Sequence, residues 1–430
     1  MLTQQENELL TRTGRGTAMG DLMRHYWVPT LLSEEVPTPD CPPVQIRLLG
    51  EKLVAFRDSN GRVGLLEEHC SHRGTSLFYG RNEGCGLRCV YHGWKYDVEG
   101  RVLETPAEPG DSTFKDRITH PAYPTMEVGG MVFAYLGPRE TPPLFPSYEW
   151  NAAPADHTYV TKCLLECSYL QGIEGECDNA HLEYLHRSAR EGQSVRDMAP
   201  DNPTWQFEET DFGLRYVAVR KRDGNATDVR VKSFVMPFSC FLGVNLATHH
   251  EGYEVHTYVP ADDTSTWRYD FGFRRSRAVA PHEPHRRAQI GPDYLRFRTM
   301  RNHYLQDRDL QRDRDYTGIE DYLNEDACAT ETARPIADRV HEHLGASDAA
   351  VIAVRRYLLK CVRACQAGQE PPHVVTDPER NNFRHADALH ELIDGSDWHA
   401  QLPHLTTEAQ SIRDYPPPQP SPARGEGEIR

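Results

Sequence analysis

Apolar residues recur along this chain in short runs that predict β-strands separated by turns. Residues 53–56 and 63–66 are apolar on either side of a turn-like segment at residues 58–61, which predicts a hairpin. Comparable runs follow later in the chain, at residues 214–219, 229–235, 253–259 and 267–273. We therefore expect an α+β protein in which an antiparallel sheet packs against long helices.

The N-terminal and C-terminal segments depart from this pattern. Residues 4–26 predict an amphipathic helix. Its apolar contacts are Leu9, Leu10 and Met19. The length of 430 residues predicts two to three domains, and we expect them at residues 27–147 and 148–400, after the N-terminal helix at residues 1–26. The low-complexity end, residues 401–430, is expected to be disordered.

Composition narrows the class of protein. The formal net charge of −16 argues against nucleic acid as a partner. The chain contains no run of about 18 apolar residues, so no membrane span is expected. The first residues lack the basic and apolar regions of a signal peptide. The 11 cysteines form no paired framework, which fits a reducing compartment. We expect a cytoplasmic protein with no nucleic-acid or membrane partner.

Two cysteine–histidine pairs carry the strongest chemical information in the chain. Cys70 and His72 form a C-x-H pair, and Cys89 and His92 form a C-x-x-H pair, separated by residues 73–88. This pattern suits a Rieske-type [2Fe–2S] cluster, in which two thiolates hold one iron and two imidazoles hold the other. Zinc fingers, the alternative, usually keep like ligands together as C-x2-4-C followed by H-x3-5-H. We therefore favour the iron–sulfur interpretation.

The surrounding sequence resembles a known family. Residues 68–109, which include CSHRGTSLFYG and CVYHGWKYDVEG, are similar to the Rieske domain of ring-hydroxylating oxygenase large (alpha) subunits. The branch with phthalate 4,5-dioxygenase and related aromatic-acid oxygenases and O-demethylases is the most similar, and the resemblance begins at residue 1. Ser71 replaces a proline that is common in the family, but it is not a ligand. The resemblance implies an N-terminal Rieske β-domain followed by a helix-grip catalytic domain.

A second metal site would distinguish an oxygenase from an electron carrier. His181 and His186 follow Asp178 in a segment that resembles the family's D-x2-H-x4-H motif. Two histidines and a distant carboxylate form the facial triad of non-haem iron(II) oxygenases. Residues five apart on a regular helix are about 140° apart around its axis, so we expect a helix distorted between the histidines, for example by a π-bulge.

The resemblance also implies roles for two aspartates. Asp178 would not bind iron but would bridge His181 to a Rieske histidine, His92, of a neighbouring subunit. The third iron ligand would lie near residues 324–327, in a region similar to the family's C-terminal helix, where we choose Asp326. Alternatives for that ligand are Glu325, Asp321 and Asp338.

These features predict the terminal oxygenase of a multicomponent system that hydroxylates an aromatic acid, by cis-dihydroxylation or O-demethylation. No G-x-G-x-x-G motif lies between a strand and a helix, so a separate NAD(P)H-dependent reductase, with flavin and ferredoxin domains, would supply electrons. By resemblance the oxygenase would be a homotrimer or hexamer. Arg230, which shares a strand face with Lys232 and Phe234, is a candidate for binding a substrate carboxylate, although that face could instead be exposed to solvent. The alternatives are a Rieske electron-transfer protein and a metal-stabilised binding module.

Overall fold

A computed structural model gives the fold of residues 1–188, 203–222, 224–243, 251–395, 397 and 400, apart from the side chains of residues 285 and 286. The helices of this part are α1 (Gln4–Thr11), α2 (Ala18–Arg24), α3 (Tyr169–Cys177), α4 (Arg308–Asp313), α5 (Tyr322–Thr332) and α6 (Ala349–Gln366). Its first strands are β1 (Trp27–Leu32), β2 (Val44–Leu48), β3 (Glu51–Arg57), β4 (Val63–Glu67), β5 (Arg81–Asn82), β6 (Leu87–Arg88), β7 (Lys95–Tyr96), β8 (Val102–Glu104), β9 (Ala122–Tyr123), β10 (Thr125–Val128) and β11 (Met131–Tyr135). Its later strands are β12 (Thr158–Leu165), β13 (Thr204–Glu209), β14 (Gly213–Lys221), β15 (Ala226–Val235), β16 (Ser239–Gly243), β17 (Gly252–Asp262), β18 (Ser265–Arg274) and β19 (Leu389–Asp394).

The N-terminal segment forms two helices, so the expectation of one helix over residues 4–26 is wrong. Helix α1 ends where Arg12 is extended, and Thr17 caps α2 by accepting a hydrogen bond from the amide of Gly20. Between the helices, Gly16 has a φ of +79°, a left-handed conformation that one continuous helix could not contain. Leu10 and Met19 are buried, and Leu9 packs partly buried against the same core. Both helices pack on α6, near the C-terminal end of the described chain.

The first third of the chain contains three small antiparallel sheets. Their strand orders are β2-β3-β4-β9, β5-β6-β7-β8 and β1-β11-β10. The expected hairpin is formed by β3 and β4, and the side chain of Asp58 fixes its turn by accepting the amides of Asn60 and Arg62. The second sheet, built from strands of two or three residues, surrounds the segment that contains Cys89.

The rest of the described chain is dominated by one large antiparallel sheet. Its strands run in the order β12-β18-β17-β16-β15-β14-β13, and β19 pairs with β15. The four runs expected to be strands lie within β14, β15, β17 and β18, which confirms that expectation. Helix α3 packs across β16, β17 and β18, and α5 packs against α3. This arrangement brings the end of α3 close to α5.

Two further expectations concern membrane-spanning helices and the C-terminal segment. No helix in the described ranges is both long enough and apolar enough to span a membrane. Residues 401–430, expected to be disordered, lie outside the described residues. The longest described helix, α6, has 18 residues and buries an apolar face that includes Val351, Leu358 and Val362.

Candidate metal centres

The two cysteine–histidine pairs lie in two loops with the same hydrogen-bond pattern. In the first loop, which follows β4, the amide of Gly74 donates to the carbonyl of Cys70 at 2.8 Å, and the amide of Cys70 donates to the carbonyl of Thr75 at 2.9 Å. In the second loop, between β6 and β7, Gly93 donates to Cys89 at 3.1 Å and Cys89 donates to Trp94 at 2.8 Å. Gly74 and Gly93 are both in the left-handed region, at φ +73° and +76°. Because both loops contain this turn, each loop presents its cysteine–histidine pair in the same way.

The four expected cluster ligands meet between these loops. The imidazole rings of His72 and His92 are 4.4 Å apart, and His72 stacks on the indole of Trp94 at 4.6 Å. Both thiols are buried, whereas the histidines are partly exposed. The buried Nδ1 atom of His72 has no hydrogen-bond partner, as expected of a metal-binding nitrogen. The donor set therefore fits a Rieske [2Fe–2S] cluster.

Hydrogen-bond donors surround the sulfur atoms. The hydroxyl of Tyr96 lies 3.0 Å from Sγ of Cys70. Burial raises the pKa of the Cys89 thiol, while the backbone N–H groups of Tyr91 and His92 act in the opposite direction. Such donors stabilise negative charge on sulfur, and hydrogen bonds of this kind tune the reduction potential of iron–sulfur clusters.

Ser71, the departure from the family pattern, has a structural partner. Its hydroxyl lies 2.7 Å from Nδ1 of the fully buried His120, whose Nε2 lies 2.8 Å from the carbonyl oxygen of Glu67. His120 therefore ties the first ligand loop to the end of β4. Burial lowers the pKa of His120, which favours the neutral ring that these contacts need.

A second set of donors converges beyond the end of α3. Nε2 of His186 lies 3.0 Å from Oδ1 of Asp326, and Nε2 of His181 lies 3.9 Å from the same oxygen. These three residues each offer a ligand atom within 4.8 Å of the others. Two imidazoles and one carboxylate on one side of a common point form the donor set of a facial triad. The residues present thus fit a mononuclear iron.

The route by which the two histidines converge differs from the expectation. The predicted distorted helix is wrong, because α3 ends at Cys177 and His181 opens a separate 3-10 turn, His181–Glu183. Asp178 causes this break: its carboxylate accepts the amides of Ala180 and His181 at 2.7 and 3.3 Å, which is an Asx-type turn. Asp178 therefore does not share a helix face with His181, although its Oδ2 lies 3.4 Å from Nδ1 of that ring.

The structure also separates the candidates for the third ligand. Glu325 accepts a hydrogen bond from Nδ1 of His186 at 2.7 Å and another from the hydroxyl of Thr317 at 2.6 Å, so it supports the histidine from behind. Asp321 caps α5, and the partly exposed Asp338 contacts His341. Asp326 alone among these four carboxylates lies within the triad.

Electrostatics at the triad favour a cation. Burial lowers the pKa of His186, but the carboxylates of Asp326 and Glu325 raise it to about 9. Burial raises the pKa of Asp326, yet His186 and the guanidinium of Arg268 lower it overall. Arg268 donates to Oδ2 of Asp326 at 3.3 Å, so Oδ1 is the oxygen that faces the histidines.

Arg230 lies on the sheet face that the iron-site turn covers. Its Nε is 3.0 Å from Nε2 of His390, and its guanidinium is 3.8 Å from the carboxylate of Glu183, in the same 3-10 turn as His181. The alternative of a solvent-exposed face does not hold, because the Arg230 side chain is 16 % exposed. Lys232, on the same face, is buried and donates to the carbonyl of Glu176 at 2.7 Å. Arg230 is therefore the cation of this pair that lies against the 3-10 turn of His181.

Sequence reasoning missed several residues that support these sites. From the sequence alone, Arg268 and Tyr96 are not candidates for any role, and Glu325 is a candidate only for the third iron ligand. A charged residue among the apolar ones of a predicted core strand, such as Arg268, is one signal in the sequence, because an Arg on a buried strand face needs a partner. The pairing of Tyr96 with Cys70 depends on packing between loop and strand, which no local pattern reports.

Comparisons with known proteins agree with this geometry. A Rieske [2Fe–2S] domain family matches residues 26–123, and a family described as LigXa C-terminal domain like matches residues 134–401. The phthalate 4,5-dioxygenase oxygenase subunit of Pseudomonas putida is 41% identical over 86% of this chain and 88% of its own. The 5,5'-dehydrodivanillate O-demethylase oxygenase subunit of Sphingobium sp. is 30% identical over 91% of this chain and 87% of its own.

Solved structures share the fold. Pseudomonas putida CBB5 NdmB has a TM-score of 0.61 at 21% identity, covering 83% of this chain and 96% of its own. Dicamba monooxygenase has a TM-score of 0.58 at 18% identity, covering 81% and 99%. Because the relatives are oxygenase subunits that match along most of the chain, the comparisons support the oxygenase interpretation and not the electron-carrier alternative. The chain belongs to the Rieske non-haem iron ring-hydroxylating oxygenases, as an oxygenase subunit whose cofactors are a [2Fe–2S] cluster and a mononuclear iron.

Proposed function

We propose that this oxygenase hydroxylates an aromatic carboxylate. The observation that carries the proposal is the convergence of His181, His186 and Asp326 beside an open cleft that Asp178 also lines. We assign the mononuclear iron to these three ligands. We assign the cluster to Cys70, His72, Cys89 and His92. Bound at the triad, ferrous iron would supply open positions for dioxygen and substrate chemistry.

The substrate class rests on Arg230 and on what similar proteins act on. A mostly buried guanidinium near the metal turn can pair with a carboxylate through charge-assisted hydrogen bonds. By their names, two relatives of this chain act on phthalate and 3-chlorobenzoate, at 41% and 34% identity. The outcome would be cis-dihydroxylation of a ring, or loss of a methyl group from a methoxylated one.

Product analysis tests this assignment. Purified protein with a surrogate reductase would be supplied with phthalate, 3-chlorobenzoate and a methoxylated benzoate under ¹⁸O₂. Labelled diol or phenol, or stoichiometric formaldehyde, is the expected result. Arg230→Gln should lower kcat/KM for the acid about 10- to 100-fold, since a hydrogen bond to a charged group contributes about 1.5–3 kcal/mol. The neutral methyl ester of the same substrate is the control and should lose far less; equal losses for acid and ester would exclude carboxylate recognition by Arg230.

We further propose that subunits assemble head to tail, as a homotrimer or hexamer. Around the cluster, Tyr79, Val90, Tyr91 and Phe114 are exposed and form what we call the cluster patch. Beside the triad, Tyr184, Tyr316 and Tyr322 are exposed and form the iron patch; the Tyr322 ring lies 4.6 Å from His186. Two different exposed apolar surfaces favour a heterologous contact, and such a contact generates a ring when the rotation between subunits closes. His92 of one subunit would then face Asp178 of the next.

Subunit complementation tests this arrangement directly. Cys70→Ser removes a cluster ligand, and His186→Ala removes an iron ligand, so each variant alone should be inactive. If electrons cross between subunits, co-expressed mixed oligomers should recover part of the wild-type activity. No recovery, with mixed oligomers demonstrated by mass spectrometry, would place electron transfer within one chain. The electrons themselves would come from a separate NAD(P)H-dependent reductase in the cytoplasm, where that reductant is made.

A further inference from the structure

A row of polar side chains follows one face of β17, on the side covered by α3. Glu254, His256 and Tyr258 alternate along the strand and therefore point to the same face. On the neighbouring strand β18, Asp270 is paired with His256 and Arg268 with Tyr258. Such a row is unusual inside a sheet, because each buried polar group needs a partner.

Hydrogen bonds join these residues to a single carboxylate on α3. The hydroxyl of Tyr258 donates to Oε1 of Glu176 at 2.5 Å, and Nδ1 of His256 lies 2.6 Å from the same oxygen. On its other side, Nε2 of His256 lies 3.3 Å from Oε2 of Glu254. The side chains thus form a continuous path, from Glu254 through His256 and Glu176 to Tyr258.

The two ends of this path face different environments. The Glu254 side chain is 18 % exposed, whereas the His256 side chain is 5 % exposed. At the other end, Glu176 and Tyr258 line the cleft that His181 and Asp326 also line. The path therefore connects a carboxylate that water reaches with the cleft of the iron site.

Charges around His256 favour a protonated ring. Glu176 faces it from α3, Glu254 lies on its own strand, and Asp270 and Arg268 face it from β18. Burial lowers the pKa of His256, but the carboxylates of Glu176 and Asp270 raise it to about 9. Burial raises the pKa of Glu176, yet the imidazolium, Arg268 and Lys232 hold it well below its usual range. At neutral pH the pair is an imidazolium beside a carboxylate.

The reaction of this family needs protons at the iron site. Cis-dihydroxylation combines the aromatic ring, dioxygen, two electrons and two protons into a diol. O-demethylation combines a methoxy group, dioxygen, two electrons and two protons into a hydroxyl group, formaldehyde and water. Both outcomes considered for this chain therefore consume two protons per turnover, while the reductase supplies only the electrons.

We propose that Glu254, His256, Glu176 and Tyr258 form a relay that delivers solvent protons to the iron-site cleft. Tyr258 gives its hydroxyl proton to an oxygen atom derived from dioxygen and regains a proton from Nδ1 of His256 by way of Glu176. Loss of the Nδ1 proton leaves the neutral ring with its proton on Nε2. After the ring turns to bring this N–H to Glu176, the other nitrogen accepts a solvent proton from Glu254, and the imidazolium is restored. The proposal rests on the oxygenase activity and is independent of which aromatic substrate is used.

The first test breaks each end of the relay in the intact enzyme. Glu254→Gln and Tyr258→Phe keep the size of each side chain but remove its transferable proton. Each should slow product formation at least tenfold and increase the solvent deuterium isotope effect, with iron content and cluster spectrum unchanged. Acetate should partly restore Glu254→Ala, since position 254 is reachable from solvent. The matched control is Tyr159→Phe, which removes a 3.0 Å hydrogen bond to Glu254 but no member of the relay.

A second measurement does not depend on turnover. Exchange of the His256 ring protons with solvent can be followed by ¹⁵N NMR on histidine-labelled protein, with His256→Asn to assign the resonance. Glu254→Gln should slow this exchange at least tenfold, and Tyr159→Phe should not. If Glu254→Gln matches Tyr159→Phe in isotope effect and exchange rate, the row is only a structural ion network. If no aromatic acid is turned over but exchange still depends on Glu254, the substrate assignment fails and the relay stands.

Discussion

Removing the hydroxyl group of Tyr96 should lower the reduction potential of the Rieske cluster. The hydroxyl lies 3.0 Å from Sγ of Cys70, and the Tyr96 side chain is fully buried, so no water can replace it. With Cys70 bound as a cluster thiolate, the hydroxyl must be the donor. Reduction adds negative charge to the cluster, so this hydrogen bond is stronger in the reduced state and raises the potential.

The size of the shift follows from the difference between the two redox states. A hydrogen bond to a charged group contributes about 1.5–3 kcal/mol. The sulfur is already negative in the oxidised cluster, so only about a third to a half of this value depends on redox state, or roughly 1 kcal/mol. A tenfold change in equilibrium constant corresponds to about 59 mV for one electron and about 1.4 kcal/mol, so Tyr96→Phe should lower the potential by roughly 40 mV.

Potentiometric titration followed by the EPR signal of the reduced cluster measures this shift. Phe keeps the ring that packs beside His120 at 4.5 Å, so the loops should retain their positions. Tyr79→Phe, at a tyrosine that is 69% exposed, is the control and should change the potential by less than the error. An unchanged or higher potential in Tyr96→Phe would refute the reasoning. A lost EPR signal would show instead that the hydroxyl is needed to assemble the cluster.

Four further outcomes are expected. His186→Ala should remove one iron per chain and leave the cluster EPR signal intact, measured by metal analysis; full iron retention would contradict its role as a ligand. Asp178→Asn should keep both metals but slow cluster oxidation in a single turnover by orders of magnitude, and fast oxidation with normal product would exclude a bridging role. Because iron must displace a proton from His186, whose pKa is about 9 without metal, iron affinity should rise about tenfold per pH unit from about pH 6 to 8 in chelator competition, and a flat profile would contradict this. Asp326→Asn should lose iron with little change in Tm. Asp326→Ala should lower both the iron content and Tm, because it leaves Arg268 without this carboxylate partner. Equal Tm values for the two variants would show that the contact between Arg268 and Asp326 is unimportant for stability.

The cluster site is predictable from sequence to an unusual degree because it is local. All four expected ligands lie between residues 70 and 92, and backbone hydrogen bonds inside each loop set their directions. Spacing alone therefore carries most of the geometry. Ser71 shows the limit: its partner His120 is 49 residues further along, and no periodic pattern connects them.

The iron site is less predictable because it depends on where one helix ends and how another packs. The sequence analysis expects one distorted helix that contains both His181 and His186, but the side chain of Asp178 accepts two backbone amides and ends the helix first. An aspartate followed by asparagine was the available sign of such a turn. Glu325 and Asp326 are adjacent on α5 and point about 100° apart, so only the packing of α5 on α3 decides which one reaches the triad.

Arg268 links the iron site to the proposed relay, and this limits which substitutions are informative. Its guanidinium donates to Oδ2 of Asp326 at 3.3 Å and to Asp270 at 2.7 Å, and it lies 3.6 Å from Glu176. These contacts hold the ligand carboxylate in one orientation, which reduces the cost of ordering it when iron binds. Replacing Arg268 would disturb the ligand and the relay together, and neither role could be separated from the other. Glu254 neither belongs to the triad nor lines its cleft, and it is partly exposed, so a defect there that leaves iron content unchanged can be assigned to proton supply.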